Sequence, residues 1–402
     1  MGRIIIFTGK GGVGKTSVAA AHAIASADEG KNTLLVSADM AHNLGDIFET
    51  EVGGHVKQVR ENLSLLELDP DMLMKEEFPN FNKAITSLMG SSGAALGSVG
   101  DNFMIPGFEN LFSLMKIKDI YESGEYERIF VDCAPTGETL SLLKLPELLT
   151  WYMEKFFPVG KVMVRVLAPV SKVKYKVTLP TRKAMNEIEE MHGQMVLLQE
   201  LLKDSDICSV RLVCVPEKMV VEETKRNFMY LNLYDYQVDG VFINRILPEE
   251  TGSDFMNHWR DIQKKYIDEL ERVFADVPVT KIPWYSNEVR GREAIRRLAG
   301  DVLKLPNVFD INVRREKETY DVIDGGYCLS IRLPGAEADK LAVNVHDMDV
   351  DIKVNNYHRC IPLPNTLRGA QIMDVRLTED LLQIALKPAE RTEEAGKDVK
   401  QP

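Results

Sequence analysis

The chain has 402 residues, of which 45 % are hydrophobic, and a formal net charge of −12. That length suits two or three domains with ordinary globular cores, and the acidic balance argues against a general affinity for nucleic acid or an anionic membrane surface. No apolar run approaches the roughly 18 residues of a spanning helix, so stable membrane insertion is not expected.

The first run, Arg3-Ile4-Ile5-Ile6-Phe7-Thr8, is predicted as a buried strand entered at once, with no leader pattern before it. It leads into Gly9-Lys10-Gly11-Gly12-Val13-Gly14-Lys15-Thr16, which fits the phosphate-loop spacing G-x-x-x-x-G-K-T. An alanine-rich helix follows over 16–29, with Gly30 as its stop. Strand, glycine loop and helix in that order turn backbone N–H groups and a helix N-terminus onto phosphate oxygens. Lys15 is expected on the β- and γ-phosphates of ATP and the Thr16 hydroxyl on Mg²⁺. Gly9, Gly11, Gly12, Val13, Gly14 and Ser17 complete the expected nucleotide cradle.

Asn32-Thr33-Leu34-Leu35-Val36-Ser37 is the next buried strand, and Asp39-Met40-Ala41-His42-Asn43-Leu44-Gly45-Asp46 follows it. Carboxylates just past a strand end lie where an open parallel sheet binds its ligand. Asp39 can hold Mg²⁺ through water, and Asp46 can orient or deprotonate an attacking water. Loop aspartates also serve as helix caps or solvated charges. A short third strand is expected over 63–68. Residues 71–125 are mixed, and Gly90–Gly97 reads as flexible. Arg128-Ile129-Phe130-Val131-Asp132 is a strand ending in a carboxylate, which brings Asp132 to the metal's water shell. Pro135 and Gly137 after it suit a loop that changes shape with the γ-phosphate.

Residues 146–203 read mostly as helix, rich in methionine and aromatics, which build an adaptable apolar groove or pack as plain core. Strands near 210–215, 238–243 and 277–282 then alternate with helices over 219–233 and 258–275 and a closing helix to about Leu303. Asn244, at a strand end, can match the acceptor and donor of an adenine edge. The alternation predicts an α/β fold: a doubly wound, mostly parallel sheet with a helical subdomain. From Tyr320 the pattern changes to short alternating strands at 327–333, 341–345, 350–354 and 381–387, a small all-β sandwich. The expected limits are a phosphate-loop domain at 1–305, with candidate groove segments at 71–125 and 146–205, and a linker at 306–319. The sandwich then spans 320–388, and a charged, disordered tail spans 389–402. Cys133, Cys208, Cys214, Cys328 and Cys360 are widely spaced with no C-x-x-C, which reads as buried thiols of a reducing compartment and argues against a cysteine metal site.

A lysine directly after the first loop glycine, Lys10, resembles the deviant G-K-G-G-x-G-K-T loop of a superfamily of dimeric ATPases. The resemblance implies that Lys10 crosses to a partner protomer's nucleotide and stabilises phosphate charge in trans, as an arginine finger does. Gly9–Thr16, Asp39–Asp46 and Asp132–Leu140 together are similar to the phosphate loop, switch I and switch II of the arsenite-pump (ArsA) ATPase family. That family includes the guided-entry ATPase that delivers tail-anchored membrane proteins. Shorter matches follow in order: Leu66-Glu67-Leu68-Asp69-Pro70, Pro106-Gly107, Pro216-Glu217, Asn244, Gln263-Lys264-Lys265-Tyr266 and Glu288-Val289-Arg290-Gly291. The likeness covers about residues 1–303. It implies catalytic roles for Asp46, Lys10 and Lys15, with Asp46 positioning the hydrolytic water. It also implies a base site drawing on Asn244, Pro216, Glu217, Pro283 and Trp284, and a homodimer closing over two ATPs. Residues 320–388 resemble an α-crystallin-type domain, which one bacterial and plastid branch of the family carries. A bacterial cytoplasm, or a plastid stroma after transit-peptide removal, is the compartment this implies.

Departures from the family pattern narrow the expectation. Asp254-Phe255-Met256-Asn257-His258-Trp259 stands where the guided-entry ATPase has its zinc-binding cysteines, so no zinc is expected. The cysteine triad of the arsenite pump and its second ATPase half are absent, Met40 and Gly45 replace the usual Pro and Ser, and Phe108-Glu109-Asn110 differs from the usual acidic pair. The expected function is a homodimeric, Mg²⁺-dependent ATPase that switches between open and closed states and binds a hydrophobic protein client, with no nucleic-acid partner. The alternatives are an arsenite-transport ATPase, a positioning ATPase and a nucleotide-independent holdase.

Overall fold

The computed structural model describes residues 2–39, 44–76, 108–141, 143–147, 182–249, 253–303, 308–311, 313–314, 318–346 and 348–389. The chain forms two compact units, Met1–Leu231 with Tyr236–Arg315, and Asn232–Asp235 with Glu316–Pro402. Met40 to Asn43, Gly90–Gly97, most of the two groove segments (77–107 and 148–181) and the tail from 390 lie outside the described residues.

The first unit contains β1 (Arg3–Thr8), α1 (Lys15–Asp28), β2 (Thr33–Ala38), α2 (Leu44–Phe48), β3 (Lys57–Arg60), β4 (Leu63–Glu67), α3 (Pro70–Glu76), α4 (Phe108–Glu122) and β5 (Arg128–Cys133). It continues with α5 (Arg182–Lys203), β6 (Cys208–Cys214), α6 (Lys218–Leu233), β7 (Val238–Ile246), α7 (Asp254–Val273), β8 (Val279–Pro283) and α8 (Gly291–Val302). Residues 136–141 and 143–147 are also helical. The strands form one sheet in the order β3-β4-β2-β5-β1-β6-β7-β8. All neighbours are parallel except β3 and β4. This is the predicted mostly parallel α/β sheet. Every residue of β1, β4 and β6 is buried, because helices cover both faces of such a sheet. Strand β3 was not expected: Lys57-Gln58-Val59-Arg60 is a part-exposed edge, and its polar side chains hide the pattern while protecting the edge.

The strand order brings the functional loops together. Strands β2, β5 and β1 are adjacent. Asp132 is in register with Phe7 on one side and Ser37 on the other. Parallel strands end at the same sheet edge, so the loops after Thr8, Ala38 and Cys133 leave from one place.

Three charged side chains on strands expected to be apolar are buried: Arg3, Arg211 and Asp239. Arg3 Nη2 lies 2.6 Å from Asp239 Oδ2, and Arg211 Nε lies 3.2 Å from Asp239 Oδ1. The two guanidinium groups also donate to the carbonyls of Phe309 and Val308. Arg128 stacks over the Phe309 ring at 4.1 Å. The expected linker at 306–319 is therefore corrected over its described residues. Val308 and Phe309 are buried and tied to the sheet, and the first unit extends to Arg315.

The second unit holds β9 (Thr319–Ile323), β10 (Gly326–Arg332), β11 (Leu341–Val345), β12 (Asp349–Val354), β13 (Tyr357–Pro362), β14 (Gln371–Thr378) and β15 (Leu381–Lys387). They make two antiparallel sheets, β14-β15-β10-β9 and β11-β12-β13. Alternate residues supply the core: Leu329 and Ile331, Leu382, Ile384 and Leu386, and Val350, Ile352 and Val354. Strands β9, β13 and β14 add to those predicted. Strand β14 is exposed along nearly its whole length and bulged between Ile372 and Asp374, so it carries no clean alternation. No helix among the described residues is long and apolar enough to cross a membrane.

Candidate nucleotide site

The loop between β1 and α1 is built on glycine for steric reasons. Gly9, Gly12 and Gly14 have φ of +154°, +77° and +100°. A Cβ on Gly9 would strike the Val213 carbonyl of β6, and one on Gly14 would strike the Asn244 amide. Helix α1 begins with no side-chain cap, leaving its first N–H groups for an anion. Lys15 is buried at the head of that helix, and its ammonium reaches across the loop to 3.4 Å from the Lys10 carbonyl oxygen.

Beside this cradle stands Asp132, fully buried next to the Thr16 hydroxyl and the Lys15 ammonium. Burial pushes its carboxyl up to about 7; the Thr16 hydroxyl and Lys15 ammonium pull against that shift, and Asp39 adds to it. A metal cation bound beside such a carboxyl would favour its charged form. A hydroxyl and two carboxylates are hard oxygen donors, so Thr16, Asp39 and Asp132 fit Mg²⁺. Asp46 is exposed in the first turn of α2. The start of α2 is held by Glu67 at the end of β4, whose carboxylate accepts from the backbone N–H of Leu44 at 3.0 Å and Gly45 at 3.2 Å.

Lys10 pairs with a carboxylate of α6. Its ammonium is 3.5 Å from Glu223 on α6, and its side chain is 39 % exposed. The other Glu223 oxygen accepts from the Thr136 hydroxyl, at the start of the short helix after β5. Glu223 thus joins the phosphate loop to the switch II stretch, where Pro135 packs against Gly11.

A cleft of about 430 Å³ opens at the end of the cradle, lined among others by Gly14, Ser17, Asn244, Pro283 and Trp284. That volume suits a small-molecule ligand. Asn244 was expected to offer both amide atoms to a base. Its Nδ2 donates to the Val13 carbonyl at 2.8 Å and its Oδ1 accepts from the Arg245 N–H at 2.9 Å, and each atom keeps one further bonding position. Asn244 therefore fastens β7 to the phosphate loop. Gln263 of α7 braces the same strand end: its Oε1 accepts from the Leu247 N–H at 2.9 Å, and its Nε2 donates to the Arg245 carbonyl at 3.0 Å. Pro216 and Glu217 do not line this cleft; Pro216 is buried at the end of β6 and Glu217 is exposed before α6.

Glu223, Glu67 and Gln263 are the residues that sequence reasoning missed. Glu67 and Gln263 lie inside matched motifs, which was the available signal, and Glu223 had none. Cys133, Cys208 and Cys214 are buried, and burial pushes the thiols of Cys133 and Cys214 up to about 12.

The comparisons with known proteins agree with this geometry. The profile of the ArsA family, described as anion-transporting ATPase, matches residues 2–304. A profile described as an HSP20-like domain found in ArsA matches residues 324–386. A Chlorobaculum tepidum protein with the provisional name arsenical pump-driving ATPase is 34 % identical over 392 residues, 95 % of each chain. An Aquifex aeolicus protein of the same provisional name is 30 % identical over 392 residues, 95 % of this chain and 99 % of its own. A Pyrenophora tritici-repentis protein named ATPase get3 is 32 % identical over 324 residues, 75 % of this chain and 91 % of its own. With the phosphate loop and its acidic partners in one place, the chain belongs to the ArsA family of P-loop ATPases, in a form with one ATPase domain followed by an HSP20-like β-domain.

Proposed function

We infer that this ATPase works as a Mg²⁺-dependent homodimer that closes on ATP, reopens on hydrolysis, and holds a hydrophobic protein segment while closed. The observation that carries the reading is the division of labour between two lysines. Lys15 is buried over the cradle, whereas Lys10 pairs with Glu223 and its side chain is part-exposed. A cation in that position is available to a second protomer's nucleotide. Lys15 and the backbone of Gly9–Ser17 hold the phosphates, Asn244 and the Pro283-Trp284 turn bound the base cleft, Pro216 and Glu217 contribute to the base site by family resemblance alone, and Asp46 orients the water. Thr16, with Asp39 and Asp132 through water, would hold Mg²⁺, which would supply charge neutralisation at the phosphates. A nucleotide can control a client only if the client prefers one of the two states. Similarity to proteins named ATPase get3 supports a targeting role, and the bacterial relatives support a bacterial cytoplasm. The name of the bacterial relatives favours a second reading, an arsenite-stimulated ATPase, although the three thiols of the first unit are buried.

The test is sedimentation of full-length protein with ATP and Mg²⁺, with and without a labelled peptide carrying one apolar helix. The wild type and Asp46→Asn should form dimers, Asp46→Asn should hold the peptide longest, and Lys10→Ala should remain monomeric. A Lys10→Ala variant that dimerises and turns over like wild type overturns the reading. Equal peptide binding by Lys15→Ala turns it into a holdase, and turnover stimulated only by arsenite turns it into the second reading.

A further inference from the structure

The second unit carries a cluster of side chains that nucleotide chemistry does not use. Strands β12 and β13 form a hairpin closed by two residues: Val354 pairs with Tyr357, and Asn355 takes the left-handed φ of 54°. A two-residue turn fixes the register. That register sets Asp351 opposite Cys360 and Lys353 opposite His358. Alternate strand residues share a face, so Asp351, His358 and Cys360 stand together on the face opposite the buried Val350, Ile352 and Val354. Asp351 Oδ1, His358 Nε2 and Cys360 Sγ all lie within 4.8 Å of one another. Cys360 Sγ is 3.2 Å from the carboxylate oxygen and 3.9 Å from the ring nitrogen, and Asp351 contacts His358 directly.

Two chemistries use a thiol, an imidazole and a carboxylate. A nucleophilic relay needs thiol and carboxylate at opposite ring nitrogens, so that one orients the ring while the other gives it a proton. Here both face Nε2, which leaves no relay. Three donor atoms converging on one point are instead the arrangement of a cation site. A tetrahedral zinc with ligands at about 2.0–2.3 Å holds its donor atoms roughly 3.3–3.6 Å apart. The two Cys360 distances, 3.2 and 3.9 Å, bracket that spacing, and the imidazole, 53 % exposed, has room to turn off Asp351 and complete it. One thiolate, one imidazole and one carboxylate suit Zn²⁺, whereas Mg²⁺ and Ca²⁺ take oxygen alone.

We propose that Asp351, His358 and Cys360 bind a zinc ion on the exposed face of the β12–β13 hairpin, with water in the fourth position. Binding deprotonates the Cys360 thiol and releases that proton to solvent. Cysteine spacing could not reveal this site, because its ligands meet across a hairpin rather than in a C-x-x-C.

The test uses chelator-stripped, full-length protein in excess Mg²⁺, titrated with Co²⁺ as a spectroscopic substitute for Zn²⁺. One equivalent should give the visible absorption of tetrahedral cobalt with a thiolate-to-cobalt band in the near ultraviolet, and Zn²⁺ should displace it. Cys360→Ser should abolish the thiolate band. Cys360→Ser, His358→Gln and Asp351→Asn should each weaken Zn²⁺ binding by about tenfold or more. Cys328→Ser, a thiol of the same unit outside the cluster, should change neither. Circular dichroism melting checks that each variant is folded. A wild type that takes up no tetrahedral cobalt, or a thiolate band that survives Cys360→Ser, overturns the proposal.

Discussion

Replacing Asp132 with Asn should raise the stability of the metal-free protein while removing its activity. The Asp132 carboxyl is pushed from 3.8 up to about 7 by burial. For an acid whose folded pKa is raised, the unfolded chain gives up its proton first as pH rises, so the native state loses stability. No penalty exists below about pH 4, it grows through the interval up to pH 7, and it is complete above. At 1.36 kcal/mol per pKa unit, a shift of about three units amounts to about 4 kcal/mol at pH 8 and about 1.7 kcal/mol at pH 5. The Asp132→Asn variant has no carboxyl to titrate there. The difference in unfolding free energy between variant and wild type should therefore grow by about 2.5 kcal/mol from pH 5 to pH 8. Urea unfolding in EDTA, following the transition of the first unit, reads this directly. Adding Mg²⁺ and ATP should reverse the order, since only the wild type gains the ion, and turnover by the variant should fall more than about 100-fold. A stability difference that is flat with pH would refute the reasoning, because Asp132 would then be paired and ionised in the absence of metal.

Three further outcomes follow from the supporting contacts. Glu223→Gln should change stability by under about 1 kcal/mol, since its pair with Lys10 is part-exposed. By freeing Lys10 it should lower the protein concentration needed for ATP-dependent dimerisation several-fold; a higher requirement in sedimentation would reject the assignment. Asp239→Asn leaves two buried guanidinium groups without their counter-charge and should cost about 3–5 kcal/mol in urea unfolding. Gln263→Ala strands the Leu247 N–H and the Arg245 carbonyl and should destabilise by about 1–3 kcal/mol. In steady-state assays it should raise KM for ATP with kcat little changed, because it loosens the base cleft and leaves the phosphate cradle intact.

What was legible in the sequence was whatever chemistry imposes on a short stretch. Phosphate must be met by backbone N–H groups at close range, so Gly9 and Gly14 admit no side chain, and that constraint writes itself into eight consecutive residues. Asp39 and Asp132 were legible because apolar strands that end in carboxylates are conspicuous. What was hidden depends on distant partners. Glu223 is one of two adjacent glutamates on α6, and nothing local marks it as the residue between Lys10 and Thr136. Arg3, Arg211 and Asp239 sit in runs read correctly as buried strands, yet their charges become intelligible only when three strands and the chain at 308–309 meet. Asn244 was found through its position at a strand end, but its bond to the Val13 carbonyl of the phosphate loop was not.

These hidden contacts share a physical logic. The phosphate loop, the start of α2 and the end of β7 each carry polar backbone groups that must be satisfied while leaving space for ligand. Asn244, Glu67 and Gln263 meet that demand from outside the cradle, with side chains anchored on strands or helices of the scaffold. Asp132 is buried beside these anchored elements, next to Lys15 and Thr16. Burial beside Lys15 and Thr16 opposes ionisation of this carboxyl, and a cation bound there would favour the charged form. Keeping it ionised above about pH 7 costs the metal-free protein stability. The same cost becomes binding free energy when Mg²⁺ arrives with ATP, so the position least favourable for folding is the one that most strongly couples the fold to its nucleotide.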